Sequence, residues 1–305
     1  MVPTGLATAV APAVWGSTYL VTTTLLPEGR PLLAGALRAL PAGLLLLAVT
    51  RTLPSGSWWW RSAVLGTLNI GAFFALLFVS AYRLPGGVAA VLGAVGPLLV
   101  LALSPRLLGE RAAPRAVVSA VVAAGGVGLT VLTADAGLDP WGVAAGLAGA
   151  ASMALGLVLT RRWGRPAPAL TATAWQLTAG GLVLLPLALL VEGPPPALPA
   201  GALAGYAYLA LVGTALAYTL WFRGLERLPA ASVSLLGQLS PVVAAALGWS
   251  VLHQSLTPVQ LLGTAVAVGG VVAGQTSGGA SAQDVRRRGR AVRRQVQLAV
   301  GHLGR

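Results

Sequence analysis

Three amides, Asn69, Gln176 and Gln238, stand in stretches of the chain otherwise nearly free of polar side chains. An amide in apolar surroundings offers two donors and an acceptor, so it either holds a polar group of a ligand or bridges two helices. Gln238 directly follows Gly237, and Pro241 stands four residues beyond that glycine. The same Gly-x-x-x-Pro pattern occurs at Gly93 and Pro97. A proline inside a helix lacks the N–H that the carbonyl four residues back would accept, so the carbonyls of Gly93 and Gly237 need other partners. Gln238 is therefore the first candidate for substrate contact and Asn69 the second, with Gln176 either a third contact or a bridge. The paired breaks at Gly93, Pro97, Gly237 and Pro241 mark a binding site, a hinge, or a kink that only shapes packing.

Trp15, Tyr19 and Tyr218 lie deep in their apolar stretches and are candidates for the wall of a cavity. Trp58, Trp59, Trp60, Trp141 and Trp163 lie near stretch ends, where indole rings favour a membrane interface. Arg38 is the one formal charge well inside an apolar stretch. An arginine there snorkels toward the outer surface, pairs with carbonyls or attracts an anionic group; about two turns from Pro31, snorkelling or bonding at a helix end is the expected reading.

All seven acidic residues fall at stretch ends, in loops or in the tail, and the chain has two histidines and no cysteine. An enzyme acting on lipid or an isoprenoid carrier would need a nucleophile, metal ligands or paired carboxylates, and no such cluster is visible. No metal or cofactor is implied. A proton relay through a midplane carboxylate is disfavoured for the same reason. Glu110 and Glu226 remain as gate residues or as partners of Arg111 and Arg227.

The elements that position these residues are spans. With 56% hydrophobic and 9% charged residues, the chain is far from a soluble composition, which is about a quarter charged. About 20 apolar residues cross a bilayer. Ten such segments read at 6–25, 32–50, 62–82, 87–107, 115–133, 141–160, 170–191, 201–222, 230–252 and 258–275. The first lacks the basic region of a cleavable signal peptide and is expected to be retained.

Halves of the chain repeat. Phe78, Arg83, Leu84, Pro85, Leu92, Gly93 and Pro97 recur 144 residues later as Phe222, Arg227, Leu228, Pro229, Leu236, Gly237 and Pro241. The first two spans of each half match at an offset of 138, pairing Arg38 with Gln176, Gly43 with Gly181 and Trp15 with Met153. Five spans per half is an odd number, so the second half enters from the opposite side and the fold is an all-α membrane protein of two inverted repeats. The expected units are 1–137, 138–276 and a tail at 277–305. Inverted halves allow two nearly equivalent shapes, which suits alternating access. Gly125, Gly126, Gly128, Gly263, Gly269 and Gly270 are expected at helix contacts, where small residues let backbones approach.

Charge orients the spans. Of the 20 arginines, 17 lie on one side if both termini are cytoplasmic, against Arg30 and Arg83 on the other. That asymmetry is the positive-inside signal and speaks against a nucleic-acid surface. The tail carries Arg286, Arg287, Arg288, Arg290, Arg293 and Arg294 among spaced apolar residues. It reads as an amphipathic helix on anionic inner-leaflet lipids or as a disordered segment.

Local patterns resemble the EamA-type branch of the drug/metabolite transporter superfamily. They are Trp15-Gly16-Ser17-Thr18-Tyr19, Leu37-Arg38-Ala39, Gly109-Glu110-Arg111, and Pro85-Gly86-Gly87-Val88-Ala89-Ala90 followed by Pro97. The first half is most similar to pigment and metabolite exporters of the PecM type. The second half departs from the pattern with His253-Gln254 in place of Gly-Glu and with Met153 in place of tryptophan. The resemblance implies export or exchange of a small-molecule substrate at the cytoplasmic membrane. A channel or lipid scramblase on the same fold is the alternative, and the sequence leaves a homodimer open.

Overall fold

The structure is a computed structural model, described over residues 4–109, 114–132, 138–164, 166–227, 236, 239–254, 256–270 and 272–273. The regular elements among these residues are all helical. They are α1 (Thr4–Gly16), α2 (Thr18–Leu25), α3 (Pro31–Thr50), α4 (Trp58–Arg83), α5 (Gly86–Leu108), α6 (Pro114–Leu132), α7 (Pro140–Trp163), α8 (Ala169–Val191), α9 (Ala200–Gly224), α10 (Leu239–Leu252) and α11 (Pro258–Gly270). Six of them, α3, α4, α5, α7, α8 and α9, are long and apolar enough to cross a membrane, and the apolar runs of α6, α10 and α11 are shorter. This is the build of a multi-pass membrane protein, with large apolar side chains such as Leu6, Val49, Leu190 and Trp249 facing outward. Gly237, Gln238, Glu110 and the arginine-rich tail lie outside the described residues.

Helix ends follow from local chemistry. Pro31 and Pro140 open α3 and α7, where a missing N–H costs nothing. Asp139 caps α7 by accepting from the Trp141 N–H at 2.8 Å. Glu192, just past α8, accepts from the N–H groups of Leu32 and Leu33 at 2.6 and 2.9 Å, so a carboxylate from one helix serves the positive end of another.

Glycine notches set the helix contacts, and they come in reciprocal pairs. A Cβ on Gly43 of α3 would lie 2.5 Å from the Thr178 amide nitrogen, and one on Gly181 of α8 would lie 2.8 Å from that of Leu40. Leu40 and Thr178 are repeat counterparts, as are the two glycines, so one contact is made twice. Positions rise along α3 as they fall along α8; the two helices run antiparallel. Between α6 and α11, Gly126 meets Ala267 and the Gly263 carbonyl, while Gly270 meets Ala123 and the Ser119 carbonyl. This too is one contact made twice, again antiparallel. Water exclusion does not drive such crossings in lipid; close backbone approach does. Gly125, Gly128 and Gly269, expected at contacts, face away from them: a Cβ placed on any of the three would have no neighbour within 4 Å.

Among the described residues four helical runs are interrupted. The first apolar stretch is two helices, broken at Ser17, whose hydroxyl bonds the Val14 carbonyl at 2.7 Å. In α5 the turn before Pro97 tightens to a 3₁₀ segment, Leu92–Val95. There the Gly96 N–H reaches the Gly93 carbonyl, so the group expected to be left free by Pro97 is satisfied within its own helix. α4 and α9 each widen into π-helix, at Thr67–Ala72 and Tyr208–Leu216. Shifted by the repeat, the first stretch falls inside the second.

Candidate functional site

Arg38 is buried, with 4% of its surface exposed, and does not snorkel. Its Nε donates to Thr214 Oγ1 at 3.1 Å, Nη1 to Thr18 Oγ1 at 3.4 Å and Nη2 to the Gly213 carbonyl at 3.4 Å. The guanidinium carbon lies 4.6 Å from the Phe74 ring centroid. The expectation of snorkelling fails because α3 packs against α9 at this depth, and the widened turn of α9 supplies polar acceptors inside the protein. All the hydrogen-bonding partners are neutral. Burying a charge costs several kcal/mol, and among the described residues no carboxylate pairs with Arg38.

The second half repeats this arrangement with an amide. Gln176, the counterpart of Arg38, accepts from Asn69 Nδ2 at 2.8 Å, and Asn69 belongs to the π stretch of α4. Each half's second span thus bonds the widened turn of the other half's third span. Asn69 and Gln176 face each other, and Asn69 Oδ1 sits in the notch at Gly156, where a Cβ would overlap it. That oxygen is buried without a hydrogen-bond partner among the described residues. The Ser152 hydroxyl donates to the Leu68 carbonyl at 2.7 Å, tying α7 to the same turn.

An aromatic wall adjoins Arg38. Trp15 donates through Nε1 to the Gly213 carbonyl at 3.0 Å, the carbonyl that also takes Arg38 Nη2. Its ring lies 5.5 Å from Tyr218 and 5.2 Å from Trp221, and Tyr218 stacks on Phe222 at 6.0 Å. Tyr208 shares a 2.7 Å hydrogen bond with Ser17 at the break of the first span. Tyr19 is nearly buried and belongs to the core cluster that holds Val88, Val91 and Ala244.

A cavity of about 530 Å³ opens between α4, α5, α6 and α7, with Gly270 of α11 also on its lining. Gly93, Gly96 and Pro97 line it together with Phe73, Met153 and Leu157. Among the described residues its lining is apolar apart from Ser119, which suits the body of a ligand better than a charged end. Of the residues expected to bind substrate, none described lines it; of those expected as a hinge, Gly93 and Pro97 do. Phe73, on this cavity, is ring-packed at 5.8 Å against Phe74, which underlies Arg38. Pro241 lies in the first turn of α10, after Leu239 and Ser240, and is partly buried.

The departures in the second repeat have local explanations. Gly109 ends α5 in the left-handed region at φ 69°, and its counterpart His253 adopts the same conformation after α10 at φ 54°. Gln254 reaches back to α5, where its Oε1 accepts from the Gly86 N–H at 3.2 Å. Away from the spans' interior, Arg83 pairs with Asp139 at 2.5 Å and its hydrogen bond holds that carboxyl below its ordinary range. Trp60 and Trp163, expected in an interfacial belt, pack edge to face at 5.1 Å beside Arg61.

The sequence alone does not single out Arg38 as a binding residue, because its partners Gly213 and Thr214 are some 175 positions away. The signal it does carry is its solitary charge.

Comparison with known proteins agrees with this architecture. The EamA-like transporter family matches residues 3–132 and again 140–273, once per half. Protein PecM of Dickeya dadantii is 51% identical over 257 residues, covering 83% of this chain and 86% of PecM. The uncharacterized inner membrane transporter YedA of Escherichia coli K12 is 30% identical over 269 residues, covering 85% of this chain and 86% of YedA. A solved crystal structure, 21% identical, superposes with a TM-score of 0.64 and covers 88% of this chain and 95% of its own, a likeness of fold. Two matched halves and half-identity to a relative over most of its length leave one assignment: the chain belongs to the EamA-like transporter family.

Proposed function

We propose that the protein is a secondary transporter that carries a small organic molecule outward, or exchanges it, across the cytoplasmic membrane by alternating access. On this reading ten helices cross the membrane in two inverted halves of five, with both termini in the cytoplasm. The observation that carries it is the doubling of the antiparallel contacts, Gly43 with Thr178 against Gly181 with Leu40. A molecule whose halves meet reciprocally has two near-equivalent ways of leaning, one open to each side. The helix-break residues Gly93 and Pro97 line an apolar cavity and stand where such a lean would bend α5. YedA, named an inner membrane transporter, supports the location.

The test is flux in vesicles containing the purified protein. Counterflow of a labelled organic compound that saturates at low turnover supports a carrier. Ohmic currents, or flux equal to that of protein-free vesicles across a broad panel, would remove the reading.

A further inference from the structure

Arg38 keeps more hydrogen-bonding capacity than the protein uses. A guanidinium has five N–H groups in a planar fork. Three are engaged, by Thr214, Thr18 and Gly213, and two of those bonds are long at 3.4 Å. One N–H on each terminal nitrogen is left without a partner among the described residues, and a guanidinium can give two N–H groups to the two oxygens of one carboxylate. The guanidinium rests over the Phe74 ring, which adds a cation–π contact on one side of it. Among the described residues, the titratable side chains within electrostatic reach of it are Tyr218, Tyr19 and Tyr208, none of which supplies a negative charge at neutral pH. The site therefore has a buried positive charge, two unused guanidinium N–H groups and, among the described residues, no internal anion.

The surroundings add a second specification. Trp15, Tyr218 and Trp221 form a tilted aromatic group, anchored through Trp15 Nε1 to the Gly213 carbonyl that Arg38 also holds. The aromatic wall and the charge are thus fixed to one point of α9. An aromatic wall beside a guanidinium is chemically suited to a planar apolar body that carries an acidic group.

Resting on the transporter reading, we propose that Arg38 is the recognition point for the carboxylate of the transported molecule, an organic monoanion with a planar apolar body seated against Trp15 and Tyr218. In the conformation described, Arg38 is closed off, with the Ser17–Tyr208 hydrogen bond joining the broken first span to α9. Parting of that contact admits the ligand.

The experiment pairs binding with flux. The purified full chain is melted in detergent with indole-3-acetate and with indole-3-acetamide, probes that differ in charge and share a body; the same pair is then followed into vesicles. The acid is expected to bind the wild type at least roughly tenfold more tightly than the amide, the worth of one charge-assisted hydrogen bond. R38Q is expected to bring acid and amide within about twofold of each other, and R38K, which keeps the charge and loses the fork, to weaken the acid alone. Equal binding of acid and amide to the wild type, or an acid preference retained in full by R38K and R38Q, would overturn the assignment. R38K serves alone if R38Q does not fold. Acid-selective binding without flux of either probe would sink the transporter reading and leave the Arg38 assignment standing; flux of both probes alike would do the reverse.

Discussion

Asn69 donates from the π stretch of α4 to Gln176 of α8 across 2.8 Å, and Gln176 is the repeat counterpart of Arg38. The two halves of the protein are thus joined at their middles by one neutral bond and one charged cluster in equivalent places. The neutral bond is the simpler of the two to weigh.

Replacing Asn69 or Gln176 by leucine should lower stability, and the double variant should lose less than the two singles together. Hydrogen bonds between membrane helices are worth about 0.6 kcal/mol on average and up to about 1.7. A double-mutant cycle on unfolding in bicelles measures the coupling; strict additivity would show that the pair contributes nothing.

Glycines separate by position along α6. Gly126→Val should sharply reduce folded protein, because its Cβ would run into the Ala267 backbone, where nothing can shift aside. Overpacking of this kind costs about 1–3 kcal/mol or more. Gly125→Ala, one residue earlier, has open space and should melt no lower than wild type. Melting temperatures of the two variants check both halves of the statement.

His253 takes a conformation that an L side chain resists. His253→Gly should stabilise the protein by about 1 kcal/mol, the cost of a left-handed turn carrying a Cβ. Gly109→Ala, at the counterpart turn, should destabilise by a similar amount. Thermal unfolding of both reads the sign directly.

The Arg83–Asp139 pair gives a pH signature. Asp139 titrates below its ordinary value of 3.8 in the folded protein, first because of the hydrogen bond from Arg83. A depressed carboxyl adds stability that is complete above the unfolded pKa and is lost as pH falls through the folded one. The melting difference between wild type and Asp139→Asn should therefore hold steady from neutral pH to about 5 and shrink below about 4. Both groups are solvent-accessible, so high salt should shrink it as well.

Orientation is open to a direct chemical test because the chain has no cysteine of its own. A single cysteine at Glu28, in the exposed turn between α2 and α3, should react with an impermeant maleimide on intact cells. One at Ser55, in the exposed turn between α3 and α4, should react only after permeabilisation. The opposite pattern would invert the proposed topology.

The repeat, the apolar stretches and the counterpart glycines, Gly43 with Gly181 and Gly126 with Gly270, are legible in the sequence because each leaves a mark at a fixed offset. The π stretches are not. No proline or polar run announces them, and a widened turn is decided by what packs beside it, here Gln176 on one side and Arg38 on the other. Arg38 misleads for a related reason: depth along a span can be counted from its end, but a bonding partner on another helix cannot. The preferred contact Gln238 stays an expectation of the sequence.

One extra residue per turn changes more than the shape of α4. Each helical residue advances about 100° around the axis, so the stretch Thr67–Ala72 re-aims everything on one side of it relative to the other. Gly66 meets α8 before the stretch, and Phe74 meets Gly35 of α3 after it. Deleting a single residue there would restore an ordinary helix and swing one of those faces away from its neighbour. The spacing between Gly66 and Phe74 is thus constrained as a length, independently of which side chains fill it.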